Sequence, residues 1–593
     1  MSAARVLYVI AHPDDEDPYT LTYLARARGC HVALFSLTRG EGGMNALGDE
    51  AEEALGFLRT HELLAAARRY GVAEVLLASA FDYGYSRRLE EAAARWDEEV
   101  LIAEAVEAIR RVRADVVVSR FAEEDDREHA HHRFAARVAR RAASAAGLPA
   151  LFGGEQSTSD VPPHIRAAAE DGYLCHRSQV PGRLLVGRDR PVVYRDAAGA
   201  GRILDGITSV AATATAADTA AAAPADTAAA APAAAAARLP CSRADPADAM
   251  VLWRRPSWRL RPLVDQPAPA VLVDAAPRVL WVPPGGVATL RIAARGRPRQ
   301  TIDLRVRAGG LVAPERAPVS LHGDGDGDGR GEAAIDLSAP PGAATRGVVT
   351  LWLPDGSPAL RLRSMPAPIP PMLEEVRAAF FTHPVAVAPA GPVGYIPGTG
   401  DGVPAALALL GVEVRELSAP IALDRLATLI IGLRAYEVTP ALRDAAGAIA
   451  AFCRAGGHAV VLAQTPPFDP AIDAPLPGEL PLEAEEACEE DAPAELAPGD
   501  PLTERPNRLG PADLEGWIEQ RGSRFWSRWD GGLAPLVELG DPGRPRQRGA
   551  WLSGRVGRGR YTYCALALHR QLPHAVPGAY RILANLVSAA PPR

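Results

Sequence analysis

The feature that most constrains the fold is an alternation of apolar, strand-like runs and helical stretches between residue 5 and about residue 150. The predicted strands are Arg5–Ile10, His31–Leu37, Ala73–Leu77 and Asp115–Val118, and the predicted helices are Leu21–Arg28, Ala51–Tyr70 and Leu89–Val112. This βαβ rhythm predicts a mostly parallel sheet with helices on both faces. In such sheets ligands bind beyond the carboxyl ends of the strands, near the topological switch point.

The pattern changes twice after this region. Residues from about 210 to 238 are low in complexity, and residues from about 265 to 366 hold short β-type runs separated by Pro/Gly turns. From about residue 378 the βα alternation returns. The predicted domains are a Rossmann-like α/β domain over residues 1–208, an Ala/Thr/Pro linker over 209–240, a β-sandwich over 241–372 and a second α/β domain over 373–593.

Composition excludes several classes of function. The formal net charge of −8 argues against a dedicated nucleic-acid binder. The chain contains no lysine, which excludes a P-loop phosphate lysine or a Schiff base. No apolar run approaches the roughly 20 residues that span a membrane, and Arg5–Ile10 already reads as a strand rather than a signal peptide. We therefore expect a cytoplasmic protein without a membrane span, with export only if the start codon is misassigned; the oligomeric state is not readable.

Two polar motifs lie where the predicted strands end. Ala11–Glu16 (AHPDDE) follows the first strand, and Glu128–Arg133 (EHAHHR) precedes the helical run Phe134–Ala143. His129 and His132 are three residues apart, so on a helical first turn they share a face, whereas His131 would point elsewhere. Together the motifs could supply two imidazoles and one carboxylate to zinc, with an open position for water. A second carboxylate could then act as general base, and a further imidazole could stabilise the oxyanion and protonate the leaving amine.

These motifs resemble the PIG-L/LmbE family of zinc-dependent deacetylases, of the N-acetylglucosaminyl deacetylase type. Leu37–Gly43, Leu58–Leu63 and Phe81–Ser86 also fit its long multidomain branch, as do Gly394–Asp401 (GYIPGTGD) and Gln571–Leu586 near the C-terminus. The C-terminal α/β domain is expected to have an amidotransferase-like fold, and the resemblance implies that catalysis does not come from it.

The resemblance also implies roles for individual residues. It places His12, Asp15 and His132 as metal ligands, Asp14 as general base, His129 as the histidine that assists the tetrahedral intermediate, and Arg59 and Asp82 as substrate-contacting residues. Two positions depart from the usual motif: Glu128 replaces a flexible residue, and His131 stands where many relatives have Asp.

The resulting prediction is a hydrolase that removes acetyl from an N-acetylated amino sugar or glycoconjugate with metal-activated water. Zn²⁺ is the expected cofactor, and Fe²⁺ or cobalt also suits His/Asp ligation. One alternative is an amidase for a larger thiol-sugar or other amide conjugate. Another is a carbohydrate-binding or assembly protein with a vestigial site, which the cluster Trp517, Trp526 and Trp529 could serve; core packing is the favoured use of those tryptophans.

Overall fold

The computed structural model describes residues 4–157, 160–179, 191–196, 201–202, 261–262, 269–323, 328–481 and 485–588. The predicted linker, residues 209–240, lies outside these residues. The chain divides into two compact units, Met1–Gln266 with Ser364–Met372 and Pro267–Arg363 with Leu373–Arg593. The four predicted domain ranges remain predictions.

The first unit is built on a seven-stranded sheet with the order β3-β2-β1-β4-β5-β6-β7. Its strands are β1 Arg5–Ile10, β2 His31–Ser36, β3 Glu74–Leu77, β4 Val116–Ser119, β5 Ala150–Gln156, β6 Val192–Arg195 and β7 Gly201–Arg202. Strands β1 to β5 are parallel, and β6 and β7 are antiparallel. The prediction of a mostly parallel sheet is therefore confirmed, and β1 and β4 lie side by side at the switch point.

Both faces of this sheet are buried. Leu7 and Val9 of β1 belong to one apolar core, and Val6 and Tyr8 belong to the other. Alternate side chains of a strand point to opposite faces, so a strand buried on both sides becomes a continuous apolar run, as the sequence shows.

In the part of the first unit that the structure describes, six α-helices connect or cover these strands. They are α1 Pro18–Thr22, α2 Glu52–Tyr70, α3 Leu89–Arg95, α4 Glu98–Val112, α5 Ala130–Ala145 and α6 Pro163–Tyr173. Asp17 caps α1 by accepting from the backbone N–H groups of Tyr19 and Thr20, and the chain then continues as a π-helical turn over Tyr23–Ala27. The predicted helix Leu21–Arg28 therefore begins three residues too late.

The predicted helix Leu89–Val112 is wrong as one continuous element. It is broken at Trp96, which is extended, and Asp97 caps the second helix by accepting from the backbone N–H of Val100. The Trp96 indole is held by a 2.8 Å hydrogen bond from Nε1 to the Phe81 carbonyl oxygen. This tertiary contact fixes the break.

The second unit begins with two β-sheets that share one apolar core. The five-stranded sheet contains, in spatial order, Val279–Trp281, Arg377–Phe381, Arg346–Trp352, Thr301–Arg307 and Arg316–Ser320. The four-stranded sheet contains His322–Gly323, Gly329–Ser338, Val287–Gly296 and Val271–Ala276.

The second unit also holds a seven-stranded mixed sheet. Its spatial order is Val414–Glu416, Val393–Ile396, Thr428–Ile431, His458–Leu462, Gly559–Cys564, Trp551–Val556 and Leu533–Pro535, and the first five strands are parallel. Its α-helices include Val403–Leu409, Ala446–Arg454 and Pro577–Ser588. Strands and helices alternate along this part of the chain, and a 3₁₀ turn over Pro440–Leu442 precedes the helix Ala446–Arg454. Within the described ranges, no helix is long and apolar enough to cross a membrane.

Candidate metal centre

The polar motifs meet at the carboxyl edge of the first sheet, at its switch point. The AHPDDE loop follows β1, and α5 begins with the second motif after β4, the neighbour of β1. Asp82 lies in the loop that follows β3. The site thus lies where open α/β sheets bind their ligands.

The loop after β1 is a strained turn. Asp14 has a φ of 94°, a conformation that costs a non-glycine residue about 1–3 kcal/mol. Three contacts hold it: its N–H donates to Glu16 Oε2 (3.0 Å), its carbonyl accepts from the Tyr173 hydroxyl (3.2 Å), and Oδ1 accepts from Arg59 Nη2 (2.6 Å). The surroundings therefore fix the direction of this carboxylate.

Glu16 is itself anchored from beneath the loop. Its Oε1 lies 2.6 Å from His176 Nε2 and accepts from the Tyr70 hydroxyl at 3.0 Å. Glu16 and His176 are fully buried, and although burial alone raises the pKa of Glu16, His176 holds it below its usual range. No role was predicted for Glu16, because nothing in the sequence connects it to a histidine 160 positions away.

Asp15 joins two of the predicted metal ligands. Its Oδ2 lies 3.0 Å from His12 Nδ1, and its Oδ1 lies 3.1 Å from His132 Nε2. Burial opposes ionisation, but His132 and His12 hold the pKa of Asp15 well below its usual range. Burial alone would lower the pKa of His132, but Asp15 and Glu128 raise it to about 9. The predicted set His12, Asp15 and His132 is thus brought together.

The start of α5 differs from the helical turn that the sequence suggested. His129 is the extended N-cap residue (φ −74°, ψ 166°), and the helix begins at Ala130. His129 still lies beside His132, with ring centroids 3.8 Å apart, and its pKa is lowered well below the usual value by burial and by the neighbouring histidines. His129 and His132 also lie with His12 in a group whose donor atoms are all within 4.8 Å of one another.

The expectation that His131 points elsewhere is wrong. Its Nδ1 lies 2.9 Å from His12 Nε2 and 3.5 Å from Asp82 Oδ1, and the residue is fully buried. Burial lowers the pKa of His131 to about 3, so the ring is neutral. Since the helix begins one residue later than assumed, His131 occupies its second position and turns into the site. His12, Asp82 and His131 form a second group of close donor atoms.

Glu128 holds His132 from the opposite side. Its Oε2 lies 2.6 Å from His132 Nδ1, which leaves His132 Nε2 facing Asp15. A carboxylate on one ring nitrogen fixes the tautomer and orientation of a metal-binding imidazole. Because Glu128 lies before the helix, which begins at Ala130, helical spacing could not have revealed this pair.

Arg59, one of the two predicted substrate contacts, is buried behind the Asp14 turn. Besides Asp14 it donates to the carbonyl oxygens of Gly40 (2.8 Å) and Pro13 (2.5 Å). Gly40 has a φ of +73°, and a Cβ there would lie 2.2 Å from Arg59 Nη1. The glycine-rich loop after β2 is therefore shaped around this guanidinium.

Asp82, the other predicted substrate contact, faces the histidines. Its Oδ2 lies 3.8 Å from His12 Nε2, and its Oδ1 accepts from the Gly84 N–H at 2.9 Å. Burial raises the pKa of Asp82, but His12 and His131 outweigh that effect and hold it below its usual range.

The donor set fits a divalent cation. Imidazole nitrogens and a carboxylate that meet within hydrogen-bond distance in a buried pocket are the ligands that zinc and iron(II) take in proteins. The outward nitrogens of His12 and His132 have partners in His131 and Glu128, as such ligands usually do. Fold and site together define an open α/β domain with a metal-type donor set at its switch point.

Known proteins place this domain in a family. Residues 7–143 match the family described as PIG-L: GlcNAc-PI de-N-acetylase, so the chain carries a PIG-L domain. It is 34% identical over 171 residues to the 1D-myo-inositol 2-acetamido-2-deoxy-alpha-D-glucopyranoside deacetylase of Thermobispora bispora, and 34% identical over 179 residues to that of Thermomonospora curvata. Each alignment covers 26% of this chain and 56% of the relative, so the chain spans about half the length of these relatives.

Among solved structures, the chain is similar to N,N'-diacetylchitobiose deacetylase from Pyrococcus horikoshii. It shows 17% identity and a TM-score of 0.25, and the match covers 30% of this chain and 72% of that one.

Proposed function

We propose that this chain is a metal-dependent hydrolase that removes the acetyl group from an N-acetylated amino sugar or glycoconjugate. The observation that carries the proposal is the meeting of His12, Asp15 and His132 beside the fixed carboxylate of Asp14, inside a PIG-L domain. The names of the two curated relatives support an acetamido sugar as substrate. The proposed reaction involves no partner other than this small-molecule substrate.

His12, Asp15 and His132 would hold the cation, with Zn²⁺ first and Fe²⁺ second in our expectation. When bound, the cation lowers the pKa of a water molecule and polarises the amide carbonyl. The chain's own residues do the rest. Asp14, aimed by Arg59, takes the proton of the attacking water as the new C–O bond forms.

His129 acts on the other side of the reacting carbonyl. It donates a hydrogen bond to the carbonyl oxygen as negative charge develops there. The C–N bond then breaks, the amine nitrogen receives the proton that Asp14 removed, and acetate and a free amine are released. Asp82 and the half-buried Tyr85, whose ring centroid lies 5.0 Å from that of His129, would contact the sugar.

The test pairs metal content with amine release. Wild type, Asp14→Ala and the exposed control Asp126→Ala are purified under metal-replete conditions, and metal is measured by elemental analysis. Asp14→Ala should retain the metal and lose most release of amine from N-acetylglucosamine, because Asp14 is a base and not a ligand. Asp126→Ala should match wild type. Wild type without metal, or an Asp14→Ala variant with full turnover, would refute the proposal.

We also propose fold assignments for the second unit. The two sheets around one core support a β-sandwich, and the parallel strands with their helices support a non-catalytic, amidotransferase-like domain. Gln464 occupies the turn after the strand His458–Leu462, fully buried, with hydrogen bonds to the carbonyls of Gly432 (2.8 Å) and Leu462 (2.9 Å). A buried, hydrogen-bonded amide there supports a non-catalytic role for this turn.

A further inference from the structure

The imidazole of His12 has possible metal donors on both sides of its ring. Its Nδ1 lies 3.0 Å from Asp15 Oδ2, on the side of the ligand set His12, Asp15 and His132. Its Nε2 lies 2.9 Å from His131 Nδ1 and 3.8 Å from Asp82 Oδ2. Neither His131 nor Asp82 belongs to that ligand set. The two nitrogens of one imidazole therefore face two different groups of side chains.

The group on the Nε2 side is buried, and its histidine is fixed by packing. His12 is 7% exposed, and His131 is fully buried. The His131 ring packs against those of Tyr83 and Trp96, whose centroids lie 4.3 Å and 4.4 Å from its own. These aromatic contacts keep His131 Nδ1 directed at His12.

The carboxylate of Asp82 is fixed as well. The Asp82 N–H donates to Glu41 Oε2 at 3.2 Å, and Asp82 Oδ1 accepts from the Gly84 N–H at 2.9 Å. The glycine-rich loop packs closely against it, because a Cβ on Gly42 would lie 2.6 Å from Asp82 Oδ1. The donor atoms of His12, Asp82 and His131 are thus held near one point before any ligand arrives.

Too few hydrogen atoms are available to satisfy these donor atoms. A carboxylate only accepts hydrogen bonds, and a neutral imidazole has one N–H and one bare nitrogen. When His12 Nδ1 donates to Asp15, His12 Nε2 is bare, so a single hydrogen on His131 Nδ1 is the most that this group can contain. His131 Nε2 has no hydrogen-bond partner among the described residues, so neither tautomer satisfies the whole ring. A cation would accept all of these lone pairs at once.

The distances within the group fit zinc. Bonds of about 2.0–2.2 Å at tetrahedral angles place the ligand atoms about 3.3–3.6 Å from one another. The observed separations are 2.9 Å from His12 Nε2 to His131 Nδ1, 3.5 Å from His131 Nδ1 to Asp82 Oδ1, and 3.8 Å from His12 Nε2 to Asp82 Oδ2. These separations lie on both sides of the tetrahedral value. Two imidazoles and one carboxylate are also a set that zinc takes with an open position for water.

We propose that His12, Asp82 and His131 form a second site for Zn²⁺, on the Nε2 side of the His12 ring. A neutral imidazole has only one bare nitrogen, so His12 can serve the first site through Nδ1 or the second site through Nε2, but not both. A cation in the second site therefore competes with the first site for His12. This inference goes beyond the proposed function, because it concerns where the chain holds a cation and not the reaction.

The test asks whether the chain still binds Zn²⁺ after the first site has been disabled. The double variant Asp15→Asn, His132→Gln retains His12 alone from the first ligand set and leaves the second site intact. The full-length protein is purified under metal-replete conditions, bound zinc is measured by elemental analysis, and affinity is measured by competition with a chromophoric chelator. The double variant should still bind Zn²⁺. Adding His131→Phe should weaken this binding more than about 100-fold, because removing a group that merely orients a ligand already costs about 10- to 100-fold.

Two further variants make the test specific. Adding Asp82→Asn in place of His131→Phe keeps the size of the side chain, should weaken binding in the same direction, and guards against misfolding of the His131→Phe protein. Adding His164→Phe is the control and should leave the affinity unchanged, because His164 is exposed.

A double variant that binds no Zn²⁺, while wild type does, would overturn this inference and leave the proposed function intact. Zinc binding by the double variant that His131→Phe and Asp82→Asn both leave unchanged would also overturn it. Wild type without metal would instead refute the proposed function, so the two failures are distinguishable.

Discussion

Replacing Glu128 tests whether a side chain that touches no substrate controls the metal centre. The 2.6 Å contact between Glu128 Oε2 and His132 Nδ1 is a charge-assisted hydrogen bond, which is worth about 1.5–3 kcal/mol when buried. The Glu128 side chain is 34% exposed, so solvent screening favours the lower end of this range. About 1.4 kcal/mol corresponds to a tenfold change in an equilibrium constant.

We therefore expect Glu128→Gln to weaken zinc affinity about tenfold. Glu128→Ala should weaken it by roughly 10- to 100-fold, the loss of affinity typical when a group that orients a metal ligand is removed. Affinity is measured by competition with a chromophoric chelator at fixed pH. Glu124→Gln is the matched control, because Glu124 lies in the same loop, is 67% exposed and pairs with Arg140. Unchanged zinc affinity in both Glu128 variants, with a normal melting temperature, would refute the reasoning.

Two further predictions concern the architecture. Gly40→Ala should destabilise the fold by about 1–3 kcal/mol and lower turnover, because the new Cβ displaces Arg59. Gly147→Ala is the control in thermal melts and kinetics: Gly147 has a similar φ of +69° but open space around it, so this variant shows the effect of backbone strain without a steric clash. Burial lowers the pKa of His458 to about 3, so only the unfolded chain takes up this proton as the pH falls below about 6.5. In urea titrations, wild type should therefore lose about 1 kcal/mol more of its free energy of unfolding than His458→Gln between pH 6.5 and 5.5. Replacing the exposed His164 is the control and should leave the pH dependence of the free energy of unfolding unchanged. The same pH dependence in wild type and His458→Gln would contradict this prediction.

The sheet of the first unit could be predicted because its central strands are buried on both faces. Arg5–Ile10 was predicted to the residue, and His31–Ser36 and Val116–Ser119 to within one residue. A short, continuous apolar run between turn signals leaves little freedom for another structure. The break at Trp96 was missed because the apolar spacing continues across it, although Asp97-Glu98-Glu99 is an N-cap signal that the sequence does contain.

The sequence indicated which of these residues lie close together but not how each side chain is oriented. The motif after the first strand contains His12, Asp14 and Asp15, and the roles assigned to them remain predictions. The direction of His131 depends on whether the helix begins at His129 or at Ala130, and the path of the preceding loop decides that. Contacts such as Glu16 with His176 join residues 160 positions apart, and one sequence offers no way to see them.

Arg59 makes two loops of the site move as one body. The Arg59 guanidinium, in the middle of α2, donates hydrogen bonds to the carbonyl of Pro13, the carboxylate of Asp14 and the carbonyl of Gly40. A displacement of α2 must therefore carry the base and the glycine-rich loop together, with their mutual distance unchanged. The histidines at the start of α5 belong to a different helix, so a change in the separation of α2 and α5 would change the distance between the Asp14 carboxylate and these histidines.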